Sequence, residues 1–194
     1  EQIANFMFSL IHMKSGVPEV REIVSTLMVK LSACEDTISN ESASKLIGGF
    51  RGLRCKYPEV QQALATVLEK LEKHSDSGAF TEDELTRALF GVKRMNSDHS
   101  DTRQLIAYIL SKVGSCQLNS WQLSQAIYAV QSMDTDAAET KALFQFLTQQ
   151  VEQLDGEKPL AGKNVNEVLT SLGAATANAD EISTFTIALR SKVA

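Results

Sequence analysis

Seven of the 19 basic residues cluster in one stretch: Lys45, Arg51, Arg54, Lys56, Arg87, Lys93 and Arg94. On a chain of net charge −5, such a cluster is a candidate local anion-binding patch. The plainer reading is an ordinary solvated face, because surface charge runs usually serve solubility. Aromatic residues lie beside it. Phe90 and Tyr128 could stack bases next to Lys and Arg, or could pack between neighbouring structural units.

Catalytic chemistry finds little footing. His12, His74 and His99 lie in three different settings, and HExxH, GxSxG and GxxxxGK[ST] are absent. Cys34, Cys55 and Cys116 are odd in number, widely spaced and without a CxxC. That argues against a disulfide framework and a zinc site, and favours a reducing compartment. With no His placed beside them, the three thiols read as buried or half-buried small residues. Gly48-Gly49-x-x-Gly52 imitates a phosphate loop, but its place in a helical pattern makes it a packing signal. The chain reads as a non-enzyme that needs no cofactor and no metal.

Composition sets the class. Hydrophobic residues make up 43% and charged residues 22%, with three Pro and ten Gly. These are values of a folded soluble chain. No run of 18 apolar residues is present, so no membrane-spanning helix is expected. A signal-peptide pattern is also missing. The chain opens at Glu1 inside a helical pattern and reads as a mature protein or an excerpt of a longer one. Asn40-Glu41-Ser42 fits a glycosylation sequon, a triplet that often arises by chance.

What must position any site is a repeat. Stretches around Met13, Leu53, Met95, Met133 and Ala175 align without gaps, at spacings of 40, 42, 38 and 42. A period near 40 specifies an array of two-helix units with no single core. The unit boundaries are about 1–40, 41–80, 81–118, 119–161 and 162–194. The first helix of unit three carries Leu85, Ala88, Leu89, Val92 and Met95 at the spacing of an amphipathic stripe. One column is always small (Ser9, Gly49, Gly91, Ala129, Ser171), which predicts a closely passing helix, since Gly in a helix costs roughly 1 kcal/mol against Ala.

The second helices start with an acid at Glu19, Glu59, Asp101, Glu139 and Glu181. In units one and two Pro18 and Pro58 stand in the first turn. In units three to five Asp98, Asp136 and Asn178 predict capping boxes. Lys30, Lys70, Lys112 and Lys192 recur where cations suit the helix dipole. The expected helices are 2–14, 18–33, 42–55, 58–73, 82–95, 99–114, 120–133, 137–153, 164–175 and 179–193, with no strands. The links 74–81 and 154–163 are expected to be exposed. Without a polar capping unit at either end, the array is expected to continue or be covered by a partner.

Function must then sit in the columns that vary. Two first-helix columns point away from the stripe: Asn5, Lys45, Arg87, Gln125, Glu167; and His12, Gly52, Arg94, Ser132, Ala174. Between them runs Phe8, Gly48, Phe90, Tyr128, Thr170. The candidate partner-binding residues are Asn5, Lys45, Arg51, Arg87, Phe90, Lys93, Arg94, Gln125, Tyr128 and Glu167.

The segments Ala88-Leu89-Phe90-Gly91-Val92-Lys93-Arg94-Met95, Ala126-Ile127-Tyr128-Ala129-Val130-Gln131-Ser132-Met133 and Pro18-Glu19-Val20-Arg21 carry a resemblance. The unit resembles a protist and algal repeat of the form ALYGLQxM…PEVRxLL. More distantly it is similar to the organellar tricopeptide superfamily, which includes pentatricopeptide and octotricopeptide proteins. The PPPEW signature of the octotricopeptide type is missing, and the period exceeds that of tetratricopeptide repeats, so no base-reading code carries over. The expected architecture is all-α, a right-handed α-solenoid of about five two-helix repeats. The leading expectation for function is a non-catalytic scaffold that holds a protein partner, as a subunit or peripheral factor of a larger organellar ribosomal, photosynthetic or respiratory assembly. The alternative is organellar RNA binding through the basic units, as the superfamily resemblance implies. A third option is the helical arm of an enzyme. An intracellular, soluble setting is expected, with chloroplast or mitochondrion implied by the resemblance.

Overall fold

The computed structural model describes residues 1–133, 137–154, 160–172 and 180–192, and these are all-helical. The ten α-helices among them are α1 Gln2–Ser9, α2 Pro18–Ser32, α3 Asn40–Gly48, α4 Pro58–His74, α5 Glu82–Gly91, α6 Ser100–Ser111, α7 Ser120–Ala126, α8 Ala138–Glu152, α9 Gly162–Leu172 and α10 Asp180–Ser191. Odd-numbered helices pack on odd-numbered ones, α1 on α3, α3 on α5, α5 on α7. Even-numbered helices do the same, α2 on α4 through to α8 on α10. Two layers result, one of first helices and one of second helices. The apolar stripe of each helix faces the seam, where Met7, Ile47, Leu89 and Ile127 are all fully buried.

The first helices end earlier than their periodicity predicts. α1, α3, α5 and α7 each tighten into a 3-10 turn, at Leu10–His12, Gly49–Gly52, Val92–Arg94 and Ile127–Val130. In the first three units the register residue that follows, Met13, Leu53 or Met95, is extended, with ψ near 150°. The apolar pattern continues past the helix because that extended residue still points into the seam: Leu53 and Met95 are fully buried.

The small column does what its residue types require. A Cβ on Gly49 would lie 2.5 Å from the Met7 carbonyl oxygen, and one on Gly91 2.3 Å from that of Ile47. Backbone meets backbone at these crossings, and only glycine leaves room.

Pro18 and Pro58 open α2 and α4 as expected, but capping departs from expectation in unit three. α6 has no side-chain cap: His99 occupies the cap position, while Asp98 accepts from Asn96 Nδ2 at 2.7 Å. Asp136 and Asn178 lie outside the described residues. A side chain three residues into the second helix ties down the turn instead. Arg21 donates to the Ser15 carbonyl (2.7 Å), Gln61 to Cys55 (2.6 Å) and Arg103 to Ser97 (2.7 Å), each reaching six residues back. Capping boxes do occur, but on first helices: Thr81 with Glu84, and Asn119 with Gln122.

Of the links expected to be exposed, residues 76–79 and 81 are exposed while Phe80 is buried, and 155–159 lie outside the described residues. Each link begins the next unit with a buried apolar residue, Ile38, Phe80, Leu118 or Leu160. The N–H groups of Ile38, Phe80 and Leu160 donate to the carbonyls of His74, Lys112 and Lys192, at the end of the same unit's second helix. Ile38 also forms an isolated parallel β-bridge with Ser75. The repeating lysine locks the preceding link: Lys70 Nζ donates to the Cys34 carbonyl (2.8 Å), Lys192 to Leu154 (2.7 Å) and Lys112 to Asp76. Gln150 replaces it in unit four and bonds Cys116. Lys30, in the same column of unit one, is exposed.

Candidate functional site: a groove and a basic cavity on the first-helix layer

The variable columns converge on one side of the first-helix layer. An open groove of about 410 Å³ runs there across units one to four. Its apolar walls are Phe8, Ile11, Phe90 and Trp121; Arg51, Arg87, Asp83 and Gln125 supply the polar ones. Gly48 forms the floor. A Cβ there would meet Arg87 Cγ at 2.8 Å and the Phe8 ring at 3.3 Å, so the missing side chain lets Arg87 lie against Phe8, with its guanidinium 5.3 Å from the ring centre. Arg87 is held in place by a 2.8 Å bond to Ser44 Oγ.

Along one edge the aromatic column forms a ladder. The Arg51 guanidinium covers Phe90 at 3.9 Å, Phe90 packs against Tyr128 at 5.5 Å, and Lys93 Nζ sits 3.6 Å from the centre of the Tyr128 ring. Tyr128 donates its hydroxyl proton to Glu167 Oε2 at 2.9 Å, and Lys93 pairs with the same carboxylate at 3.3 Å. Burial pushes the Tyr128 phenol up to about 12, helped by its hydrogen bond and proximity to Glu167. Burial works against the charged Glu167, but the donors Tyr128 and Gln131 and the charge of Lys93 outweigh it and bring its pKa below the ordinary value. Packing between units therefore occupies the Phe90 and Tyr128 positions of the aromatic column, as the plainer reading of the sequence holds.

Beside the groove, and sharing Ile11 and Arg51 with it, lies a second cavity of about 160 Å³. It sits where the 3-10 turns of units one, two and three meet, and is lined by His12, Lys14, Arg51, Lys93 and Arg94.

Of the ten candidate residues, Arg51, Arg87, Phe90 and Gln125 line the groove. Lys93 and Arg94 join Arg51 at the cavity. Tyr128 and Glu167 belong to the ladder. Lys45 is engaged by Glu41 at 2.7 Å and lines neither concavity, and Asn5 is exposed on α1. Sequence reasoning passed over Trp121, Asp83 and Lys14. A signal for Trp121 was present: its column reads Glu1, Glu41, Asp83, Trp121, Lys163, so one aromatic stands where other units are charged.

Two of the thiols stay quiet. Burial raises the Cys55 and Cys116 pKa values, so neither is a ready thiolate. The Asn40 amide of the sequon donates to the Gly78 and Ala79 carbonyls (3.1 and 2.8 Å), holding a link. No group of three or more His, Cys, Asp and Glu that could hold a metal occurs among the described residues. No helix among them is long and apolar enough to cross a membrane. Compared with known protein families, curated proteins and solved structures, the chain matches none.

Proposed function

We propose that the chain is a non-catalytic helical-repeat scaffold whose first-helix groove holds a segment of a protein partner. The observation that carries this reading is Trp121, 67% exposed on the groove rim in a column that is charged in every other unit. Exposing an indole to water is unfavourable, and Trp and Arg are the residue types that dominate binding energy at protein interfaces. Trp121, Phe8 and Phe90 offer an apolar seat, flanked by the cations Arg51 and Arg87. The matching partner segment carries a bulky apolar side chain with a carboxylate beside it.

The partner belongs to a larger assembly, with an organellar one in keeping with the repeat resemblance. Purification of the tagged native protein, with identification of what accompanies it, tests the reading together with a Trp121→Ala/Arg87→Ala variant. The expected result is a protein retained by the wild type and lost from the variant while the helical signal is unchanged. Equal retention by both would sink the groove, and a wild type that retains no protein would sink the scaffold.

A second reading, single-stranded RNA binding through units two and three, is favoured by the cations of the basic cavity. Its stacking component is weakened because Arg51 and Lys93 already cover Phe90 and Tyr128. Salt-dependent binding of labelled RNA, abolished by Arg87→Glu/Arg94→Glu, is its expected signature.

A further inference from the structure

We infer that the cavity between the 3-10 turns of units one to three is a binding site for a single phosphoryl dianion, presented by the protein segment that lies in the adjoining groove. The inference rests on the partner reading above for the source of the phosphoryl group, but not for the site itself.

The site is built by three consecutive units. His12 comes from the turn after α1, and Lys14 follows it. Arg51 comes from the turn after α3, and Lys93 and Arg94 from the turn after α5. Gly52 forms part of the wall, where a Cβ would lie under 2 Å from the Met13 carbonyl oxygen, so the turns close in as far as backbone allows. The lining contains no Asp or Glu. Lys93 reaches one carboxylate, Glu167, beyond the rim.

The obvious competing role for these cations is to complement helix C-termini, each worth about half a negative charge. Magnitudes decide against it. Lys14, Arg51, Lys93 and Arg94 bring four formal charges. Glu167 and three short helix ends together offset between two and three of them, on the order of half a charge per end. A positive surplus therefore remains inside a partly desolvated hollow. Burial, then the neighbouring Arg94 charge, lowers the Arg51 pKa, and burial lowers that of Lys93 despite Glu167, with Arg94 and Arg51 adding smaller like-charge effects. A phosphoryl group relieves this repulsion and accepts bidentate bonds from guanidinium groups.

The geometry favours a phosphomonoester over an RNA backbone. Four basic residues of three units line one hollow of about 160 Å³ instead of tracking along a strip, with Arg51 and Lys93 also lying against the Phe90 and Tyr128 rings. Of the aromatic faces nearby, those of Phe90 and Tyr128 are covered by Arg51 and Lys93 and do not stack bases. The cavity also opens beside the apolar groove and shares Arg51 with it, so one bound segment can fill both.

The test is titration of the full chain with inorganic phosphate, followed by NMR of the His12 ring and the Arg51 and Arg94 side chains. Arg94→Ser and the exposed-site variant Lys14→Ser serve as separate probes, so a folding failure in one leaves the other informative. The expected result is saturable shifts at His12, Arg51 and Arg94, with affinity about tenfold lower in each variant, equivalent to the loss of about 1.4 kcal/mol. Absence of shifts at these residues, or unchanged affinity in both variants, overturns the site. A second arm adds a phosphoserine peptide bearing a neighbouring Leu, its unphosphorylated form, and single-stranded RNA. Tighter binding of the phosphopeptide than of phosphate, lost in Trp121→Ala, supports the source. Tighter binding of RNA than of either overturns it in favour of a phosphodiester. Phosphate binding that survives while no protein is retained by the wild type would sink the partner reading and leave the cavity standing.

Discussion

Lys70 and Lys93 are the same residue in the same array, yet they have opposite roles. Lys70 is 8% exposed, stands near the end of a second helix and donates to the Cys34 carbonyl one unit back. Lys112 and Lys192 repeat that bond. Lys93 stands at the end of a first helix, over a tyrosine ring, in a hollow with Arg51 and Arg94. The difference lies in the acceptors. Along the second-helix layer Lys70, Lys112 and Lys192 each find a backbone carbonyl of the preceding link, so their charge serves stability. Along the first-helix layer Arg51, Lys93 and Arg94 of adjacent units line one hollow, where Arg51 lies over Phe90 and Lys93 over Tyr128 beside Glu167.

Four measurements break or sharpen this contrast. The largest effect is expected from Gly52→Ala, which drives a methyl into the Met13 carbonyl at the cavity wall. Overpacking of this kind costs about 1–3 kcal/mol. Gly16→Ala is the control, because its Cβ meets nothing nearer than Tyr57 Oη at 3.9 Å. A urea midpoint for Gly52→Ala equal to that of Gly16→Ala would show that the turns of units one and two do not meet this closely. Next comes Lys70→Met, which removes the link clamp. Its hydrogen bond to a charged group is worth roughly 1.5–3 kcal/mol, whereas Lys30→Met, at the exposed position of the same column, is expected to change stability by under about 0.5 kcal/mol. Equal losses from both would erase the distinction between the two settings.

A smaller effect is expected from pH. The folded-state pKa of Tyr128, about 12, lies above the ordinary phenol value. The folded chain therefore holds this proton more tightly, and its contribution to stability is lost as pH rises from about 10 toward about 12. The alkaline slope of stability should be shallower in Tyr128→Phe than in the wild type, and identical slopes would remove Tyr128 from the account. The smallest effect is predicted for Arg94→Ser. Relief of repulsion with Arg51 and Lys93 should leave stability unchanged or raise it by under about 0.5 kcal/mol. A clear destabilisation would place Arg94 with Lys70, among the structural cations.

Much of the fold was legible because it repeats. The stripe Leu85, Ala88, Leu89, Val92 recurs in every unit, and helical periodicity is a local property of the chain. The small column at Gly49 and Gly91 announced close helix crossings that the backbone distances bear out. The cap at Asp98 was misread, since Asp98 satisfies its neighbour Asn96 while Arg103 ties the turn from within the helix, whereas Pro18 and Pro58 stand in the first turns as expected. Sequence spacing shows which side chain stands at a cap position, but not which of two donors arrives first. The buried link column Ile38, Phe80, Leu118 and Leu160 escaped notice because each is a lone apolar residue before a cap, with no periodicity of its own.

The candidate site divides in the same way. The sequence alone determined that function must be sought in columns that vary while the frame stays constant, and it named Arg51, Arg87, Phe90, Lys93 and Arg94. Tertiary structure decided their placement. Stacking brings position 11 of one unit beside position 51 of the next and position 93 of the third. It puts Trp121 over a groove floored by Gly48 and closes Tyr128 onto Glu167. Helix propensity and amphipathic spacing act within about one turn and can be read along the chain. The distance between charges 40 residues apart depends on how closely two backbones cross, and Gly49, Gly52 and Gly91 set that only once the units are stacked.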